Sequence, residues 1–311
     1  MTAFFIAALI PWLYWDQGPK TVNEVKQAGV ERVYVPAGQV GAWKAAGIDT
    51  RAFEAKNFIK LPVPGVRYRM DVASATTMPW IDANGWRIEC GAGKGGHATY
   101  YYETPRGKAV LAAAEAYAWD AEAVVHPDSQ DLDAFGRMLA FLRSIDQPRL
   151  PQLANIGVVD DGSARTGEVL NLLARRNLLL RVVNKPDPKL DLNVQIGSKD
   201  YPESEAANPA AFANLVRRKL GDDKRLARIY GSEVVLIHLN GDGTKLRVHL
   251  VNYSGRKVEG LRVRVLGEYP HHNLAAFEIG NAALTDYLVS SGATEFTVPE
   301  MDAYAAVDLT K

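Results

Sequence analysis

Three carboxylates stand just beyond apolar runs in the first half of the chain. Asp16 follows the run that ends at Trp15, Glu103 follows Thr99–Tyr102, and Asp128 follows Ala123–His126. In parallel α/β folds ligands collect outside the C-terminal ends of the strands, so side chains at such positions converge although the sequence separates them. Two carboxyl groups brought together there supply a general acid with a base or nucleophile, the equipment for cleaving a glycosidic bond. Each position also has a local reading. Asp128 stands where a helix N-cap belongs, ahead of Ser129-Gln130-Asp131, and Glu103 precedes Thr104-Pro105, itself a cap and first helical turn.

Aromatic residues crowd the same half. All six tryptophans, Trp12, Trp15, Trp43, Trp80, Trp86 and Trp119, precede residue 120, and Tyr100, Tyr101 and Tyr102 lie among them. Sugar rings have apolar faces that stack on aromatic planes while their rim hydroxyls take hydrogen bonds, so this composition suits carbohydrate. Trp43 and Trp119 fall on helical patterns and belong to the core. Trp15, Trp80 and Trp86 sit beside turns and are the expected platform. The turn Asp82-Ala83-Asn84-Gly85 between two of them offers Asp82 and Asn84 to sugar hydroxyls, or is an ordinary Asn-Gly turn. Tyr101 and His126, at strand ends, complete the candidate substrate contacts.

Other chemistries find less support. Gly91-Ala92-Gly93-Lys94-Gly95-Gly96 matches a dinucleotide-binding pattern by letter, but the following Thr99–Tyr102 reads as a strand where a helix is required. A mobile loop is the expectation, and no cofactor is implied. The histidines (His97, His126, His238, His249, His271, His272) show no metal-binding spacing, so no metal is expected. Cys90 is the single cysteine, which rules out an internal disulfide or a Cys-x-x-Cys pair. With 36 basic and 36 acidic residues the chain lacks the positive excess that nucleic-acid binding needs.

The elements that must position these residues fall into three parts within 311 residues. The apolar run Ala3 to Trp15 is shorter than the roughly 20 residues of a membrane helix and has no basic flank, so it reads as a buried first strand. A chain that had shed a signal peptide would read the same way, so the sequence does not fix the compartment. Up to residue 150, strands (Phe4–Leu9, Arg32–Val35, Trp86–Glu89, Thr99–Tyr102, Ala123–Val125) mix with helices (Thr21–Ala28, Val40–Ala46, Pro105–Ala118, Ser129–Ile145). Such alternation favours a parallel sheet or barrel, but a full eight-unit barrel takes about 250 residues. A degenerate or shortened barrel-like α/β domain over 1–150 is expected.

Residues 151–232 begin a small doubly wound α/β domain: strand Asn155–Val159, acidic turn, helix Ser163–Asn177, strands Leu178–Val183 and Leu192–Ile196, helix Pro209–Leu220. Over 233–311 helical periodicity stops. Short runs at Val234–Leu239, Leu246–Asn252, Leu261–Leu266, Ala275–Ile279, Tyr287–Val289, Glu295–Val298 and Ala303–Leu309, with a hairpin signal at Asn240-Gly241-Asp242-Gly243, predict an all-β sandwich.

The stretches GVVDDGSARTGEVLNLLARRN (157–177), VHLVNYSGRKVEGLRVRVLG (248–267) and EFTVPEMDAYAAVDL (295–309) resemble the tail of barrel-type glycoside hydrolases of the beta-galactosidase group. In that group a barrel precedes an amidotransferase-like trimerisation domain and a small β-sandwich. The resemblance implies a carbohydrate-active protein with a glycan as partner. Its action is either hydrolysis through paired carboxylates or non-catalytic binding and assembly, with a homo-oligomer as one consequence. The first 150 residues depart from the group in length. Between 151 and 231 there is neither Cys nor His, so those residues cannot supply an amidotransferase's thiolate and base, and that layer is expected to be structural or oligomerising.

Overall fold

The computed structural model describes residues 9–67, 80–92 and 98–311. It has a mixed α/β architecture with parallel and antiparallel sheets, divided into two compact units. The first comprises Met1–Gly65 with His97–Arg149, the second Val66–Gly96 with Leu150–Lys311. Residues 66–67 and 80–92 thus group with the second unit, although their place in the sequence suggests the first domain.

The first unit is built on β1 (Trp12–Tyr14), β2 (Arg32–Val35), β3 (Asp49–Ala52) and β4 (Ile59–Leu61). The short strands β5 (Gly65–Arg67) and β6 (Trp80–Asp82) form a separate two-stranded sheet, and β7 (Thr99–Glu103) and β8 (Glu122–His126) complete the first unit's set. Its six strands lie in the order β3-β2-β1-β8-β7-β4, every neighbouring pair parallel. The first strand therefore sits beside the last, as the alternation of strand and helix requires when a sheet closes toward itself. Of the expected strand at Phe4–Leu9, residues 4–8 lie outside the described residues, and β1 begins after Pro11.

Period-two alternation divides the two faces of this sheet. Leu13, Val33, Val35, Tyr102 and Val125 are fully buried on one face. Four helices supply further buried apolar side chains to this unit: α1 (Val22–Gln27), α2 (Val40–Ala45), and, later in the chain, α4 (Ala109–Ala118) and α5 (Leu132–Ser144). α5 carries Leu132, Phe135, Met138, Leu139 and Leu142 on its buried stripe. The opposite face gathers Trp12, Tyr34, Tyr101 and Val124, with Tyr14, Phe53 and Phe58 packed against them. β3 and β7 are four strand spacings apart, about 19 Å in a flat sheet. Yet the ring of Phe53, just past β3, lies 4.9 Å from that of Tyr101 on β7. The sheet is therefore strongly curled, and its concave side is filled with aromatic rings.

In the second unit, α3 (Gly85–Ala92) occupies the segment where a strand is expected at Trp86–Glu89. Four apolar or alternating residues fit either state, and here the helical one lets Trp86 and Cys90 pack against a neighbouring core. That core belongs to a three-stranded parallel sheet, β10-β9-β11, made of β9 (Ile156–Val159), β10 (Leu180–Val183) and β11 (Leu192–Val194), with α6 (Ala164–Arg175) and α7 (Pro209–Leu220). Ser163 caps α6 by accepting from the Thr166 amide at 3.1 Å, and Asn208 caps α7 through the Ala211 amide at 3.1 Å. α3 adds the thiol of Cys90 to a layer whose own residues 151–231 contain none.

Two four-stranded antiparallel sheets follow. β12 (Ala227–Tyr230), β15 (Val258–Leu266), β18 (Ala293–Met301) and β17 (Thr285–Ser290) form one, in that order. β13 (Val235–Gly241), β14 (Lys245–Asn252), β19 (Tyr304–Thr310) and β16 (His271–Ala276) form the other. Leu239, Val248, Val263, Phe296, Val298 and Val307 from both sheets share one buried core. The strand expected at Ala275–Ile279 lies earlier, at β16, paired residue by residue with β19. The hairpin at Asp242 is held by its carboxylate, which accepts from the Thr244 and Lys245 amides at 2.9 and 2.8 Å. Those bonds hold the group at about 2, below the usual carboxylate range.

Candidate functional site

The C-terminal rim of the curled sheet collects Asp16, Tyr14, Lys60, Tyr101, Glu103 and His126. β1 lies beside β8 and β8 beside β7, with Glu103 and His126 in direct register. Alternation sends Tyr101, alone of the three consecutive tyrosines, to the concave face, while Tyr100 and Tyr102 turn to the other.

At this rim the Tyr101 hydroxyl is 3.1 Å from Nδ1 of His126, and Nε2 of His126 is 3.5 Å from Oδ1 of Asp16. A phenol, an imidazole and a carboxylate thus stand in series across three adjacent strands. The His126 ring also meets the ring of Tyr14 edge-on at 4.7 Å, and Tyr14 stacks on Phe53 at 4.1 Å. Burial is the main reason that the Tyr101 phenol holds its proton well above the ordinary tyrosine range, with Glu103, Tyr14 and Asp16 adding to the effect. Tyr14 is raised for the same reason, with Asp16 second.

Glu103 forms an ion pair with Lys60 of β4. The hydrogen bond and charge of Lys60, and then His126, hold its carboxyl below the usual glutamate range, so it is ionised at neutral pH. Asp128 follows β8 and accepts from the Gln130 amide at 2.9 Å, capping the turn that leads into α5. One of its oxygens is therefore committed to the helix start. Thr104, the residue after Glu103, is bound through its amide and hydroxyl to the His126 carbonyl, which ties the ends of β7 and β8 together.

The residues of the expected aromatic platform are divided between the two units. Trp15 is 2% exposed and its indole nitrogen donates to the Thr21 hydroxyl at 2.8 Å, so neither ring face meets solvent. Trp80 and Trp86 belong to the second unit, where both pack against the core of the three-stranded sheet. The Arg175 guanidinium lies 4.6 Å over Trp80, and a Cβ on Gly167 would be 3.0 Å from the Trp86 ring. Asp82 is ion-paired with Arg67 and accepts from the Trp80 indole at 3.2 Å. Asn84 is buried, and its backbone carbonyl accepts the first amides of α3. All four residues make contacts within the second unit, where a short turn between two indoles is the entry to a packed helix. Tyr14 and Lys60 were not legible as rim residues: Tyr14 lies inside an apolar run, and β4 is too short and exposed to show a pattern.

Residues 93–97 of the glycine-rich stretch, with His97, lie outside the described residues. Among the described residues no three of His, Cys, Asp and Glu gather as a metal site needs, and no helix is long and apolar enough to cross a membrane.

The sequence matches no family model and no curated protein sequence. In three dimensions the chain is similar to alpha-L-fucosidase isoenzyme 2 from Paenibacillus thiaminolyticus, with a TM-score of 0.58 at 9% identity, over 94% of this chain and 79% of that one. It is also matched, at a TM-score of 0.46 and 9% identity, to a beta-galactosidase from Bacillus circulans sp. alkalophilus. A cold-adapted beta-galactosidase from Rahnella sp. R3 matches at 0.42 and 10%. In both cases 90% of this chain is covered but only 63% of the galactosidase chain. The fold resembles that of glycoside hydrolases, and at these identities the likeness is one of fold.

Proposed function

We propose that this chain is a carbohydrate-active protein that binds a sugar at the C-terminal rim of its curled parallel sheet. The observation that carries the reading is the series Asp16, His126, Tyr101. It sets acceptor and donor atoms in a row at the end of the sheet where ligands of parallel α/β folds collect. Beside it the partly exposed Tyr14 offers an apolar ring edge, which suits a hexose better than an anion or a nucleotide. The likeness of fold to an alpha-L-fucosidase supports the same reading. We read the first unit as a shortened barrel whose interior is taken up by its own aromatic side chains, so that the ligand rests on the rim.

A glycoside hydrolase is the second reading, favoured by Glu103 and Asp16 on either side of His126. They leave strands two spacings apart, about 10 Å between backbones, a separation from which carboxylates reach the roughly 6.5–9.5 Å of an inverting pair. Glu103, ionised beside Lys60, fits a base or charge stabiliser; Asp128, with one oxygen in a cap, is the less suited partner.

Titration of the full chain with a panel of oligosaccharides, followed by calorimetry, tests the first reading. Saturable binding by one sugar class that is lost in His126→Ala is expected; binding unchanged by that substitution, or a flat response across the panel, would sink it. Turnover of aryl glycosides that disappears in Glu103→Gln would establish hydrolysis.

A further inference from the structure

A second candidate site lies in the second unit, at the C-terminal end of α7. The last turn of α7 carries Arg217, Arg218 and Lys219, and the chain beyond it adds Arg225 and Arg228. Positive side chains at a helix C-terminus complement the helix dipole, but that accounts only for the first three. Lys219 is engaged elsewhere, donating to the Asp200 carbonyl at 2.6 Å.

Arg217, Arg225 and Arg228 converge on Asp222, the first two on its carboxylate. Asp222 accepts from Nε and Nη2 of Arg217 at 3.3 Å each, and Nη1 of Arg225 is 3.8 Å away. Arg228 donates to the Asp222 carbonyl. The Arg225 side chain is only 9% exposed, anchored by a 3.1 Å bond to the Arg176 carbonyl, and its Nε has no hydrogen-bond partner among the described residues. Arg176 adds a fifth guanidinium, and Glu233 acts on it from a distance. Asp223, near Gly221, is the other acid of the loop. Burial first, and then Arg217, hold both Arg176 and Arg225 below the ordinary guanidinium range, as expected where positive charge outweighs its counterions. Arg218 forms no ion pair among the described residues. Beside this focus an open pocket of about 430 Å³ is lined by Asn214, Arg217, Arg218, Gly221 and Asp222.

We propose that this pocket binds a phosphate or sulfate group, with Arg218 and Arg217 as the charged donors and the Asn214 amide as the neutral one. Guanidinium groups match tetrahedral oxyanions through paired N–H donors. Arg225, fixed behind Asp222, keeps the local field positive while Asp222 orients Arg217. The site is independent of the sugar-binding reading, since the two use different units of the chain.

Calorimetry of the full chain with inorganic phosphate, at low ionic strength and against matched sodium chloride, tests it. Saturable binding is expected, weakened at least fivefold in the exposed-site variant Arg218→Gln and unchanged in Arg262→Gln, which alters an arginine that pairs with Glu295 and does not line the pocket. Glucose 6-phosphate binding more tightly than phosphate would assign the group to a sugar, and equal binding would assign it to the free anion. Heat no different from chloride, or equal loss in both variants, would overturn the proposal.

Discussion

The ring of Phe53 lies 4.9 Å from that of Tyr101, across four strand spacings of a sheet that hydrogen-bonds them only through the strands between. This contact exists only because the sheet curls, and it closes the concave side with aromatic rings. A ligand bound as proposed would therefore meet the rim and not an interior cavity.

Removal of one hydroxyl at that rim separates packing from binding. Tyr101→Phe keeps the ring against Phe53 and deletes only the bond to Nδ1 of His126. Thermal stability is expected to change by no more than about 1 kcal/mol, the net worth of one hydrogen bond. Sugar affinity, measured by calorimetry, is expected to fall several-fold.

Lys60 keeps Glu103 ionised. In Lys60→Met the hydrogen bond and adjacent charge are both gone, so the Glu103 carboxyl is expected to titrate at higher pH than in the parent chain. Carbon-13 NMR titration of the side-chain carboxyl reads the shift directly; an unchanged midpoint would mean that the ion pair does not persist in solution.

Gly136 on α5 is a packing requirement. A Cβ there would fall 1.8 Å from the Ala28 carbonyl oxygen, at the end of α1. The obstacle is backbone, so it cannot swing aside as a flexible side chain would. Gly136→Ala is expected to cost about 1–3 kcal/mol by overpacking, against the small gain alanine ordinarily brings to a helix. Urea denaturation measures it.

Asn177 joins two layers of the second unit. Its backbone is left-handed, φ 53°, just past α6, and its side chain donates to the Val235 carbonyl and accepts from the Ile237 amide at 2.9 Å. Asn177→Ala strains the turn and leaves two buried backbone groups of β13 unpaired, a loss of about 2–4 kcal/mol. Asn177→Gly relieves only the turn, and is expected to fall between the two in the same denaturation experiment.

His238 and His249 are directly opposite on β13 and β14, both buried. Burial lowers His238 to about 4; burial, then His238 and Arg247, lowers His249 well below the ordinary value of 6.5. His249 also shares a 2.7 Å hydrogen bond with the Tyr304 hydroxyl. A folded state that keeps these rings neutral is fully favoured above the unfolded value of 6.5. It loses stability as pH falls below 6.5 toward about 4, by about 1.4 kcal/mol per pH unit for each histidine. His238→Gln is expected to flatten this decline between pH 6.5 and 4.5, and an identical slope in both proteins would count against the buried neutral pair.

Local patterns in the chain determined much of its secondary structure. The apolar stripe of α5, the caps at Asp128, Ser163 and Asn208, and the alternation along β13, β14 and β19 are each set by interactions within a few residues, so they can be read from order alone. So can the position of Asp16, Tyr101, Glu103 and His126 near strand ends. Short edge strands such as β3 and β4 carry no such signal, being mostly exposed, and the run at Trp86–Glu89 is too brief to distinguish strand from helix. Tertiary structure alone decided the rest. Whether Trp15, Trp80 and Trp86 show a face to solvent depends on what packs over them. The meeting of Asp16 with His126, and of Lys60 with Glu103, depends on β1 lying beside β8 and β4 beside β7. Strand order is fixed by burying one face of the whole sheet at once, and no stretch of sequence contains that condition by itself.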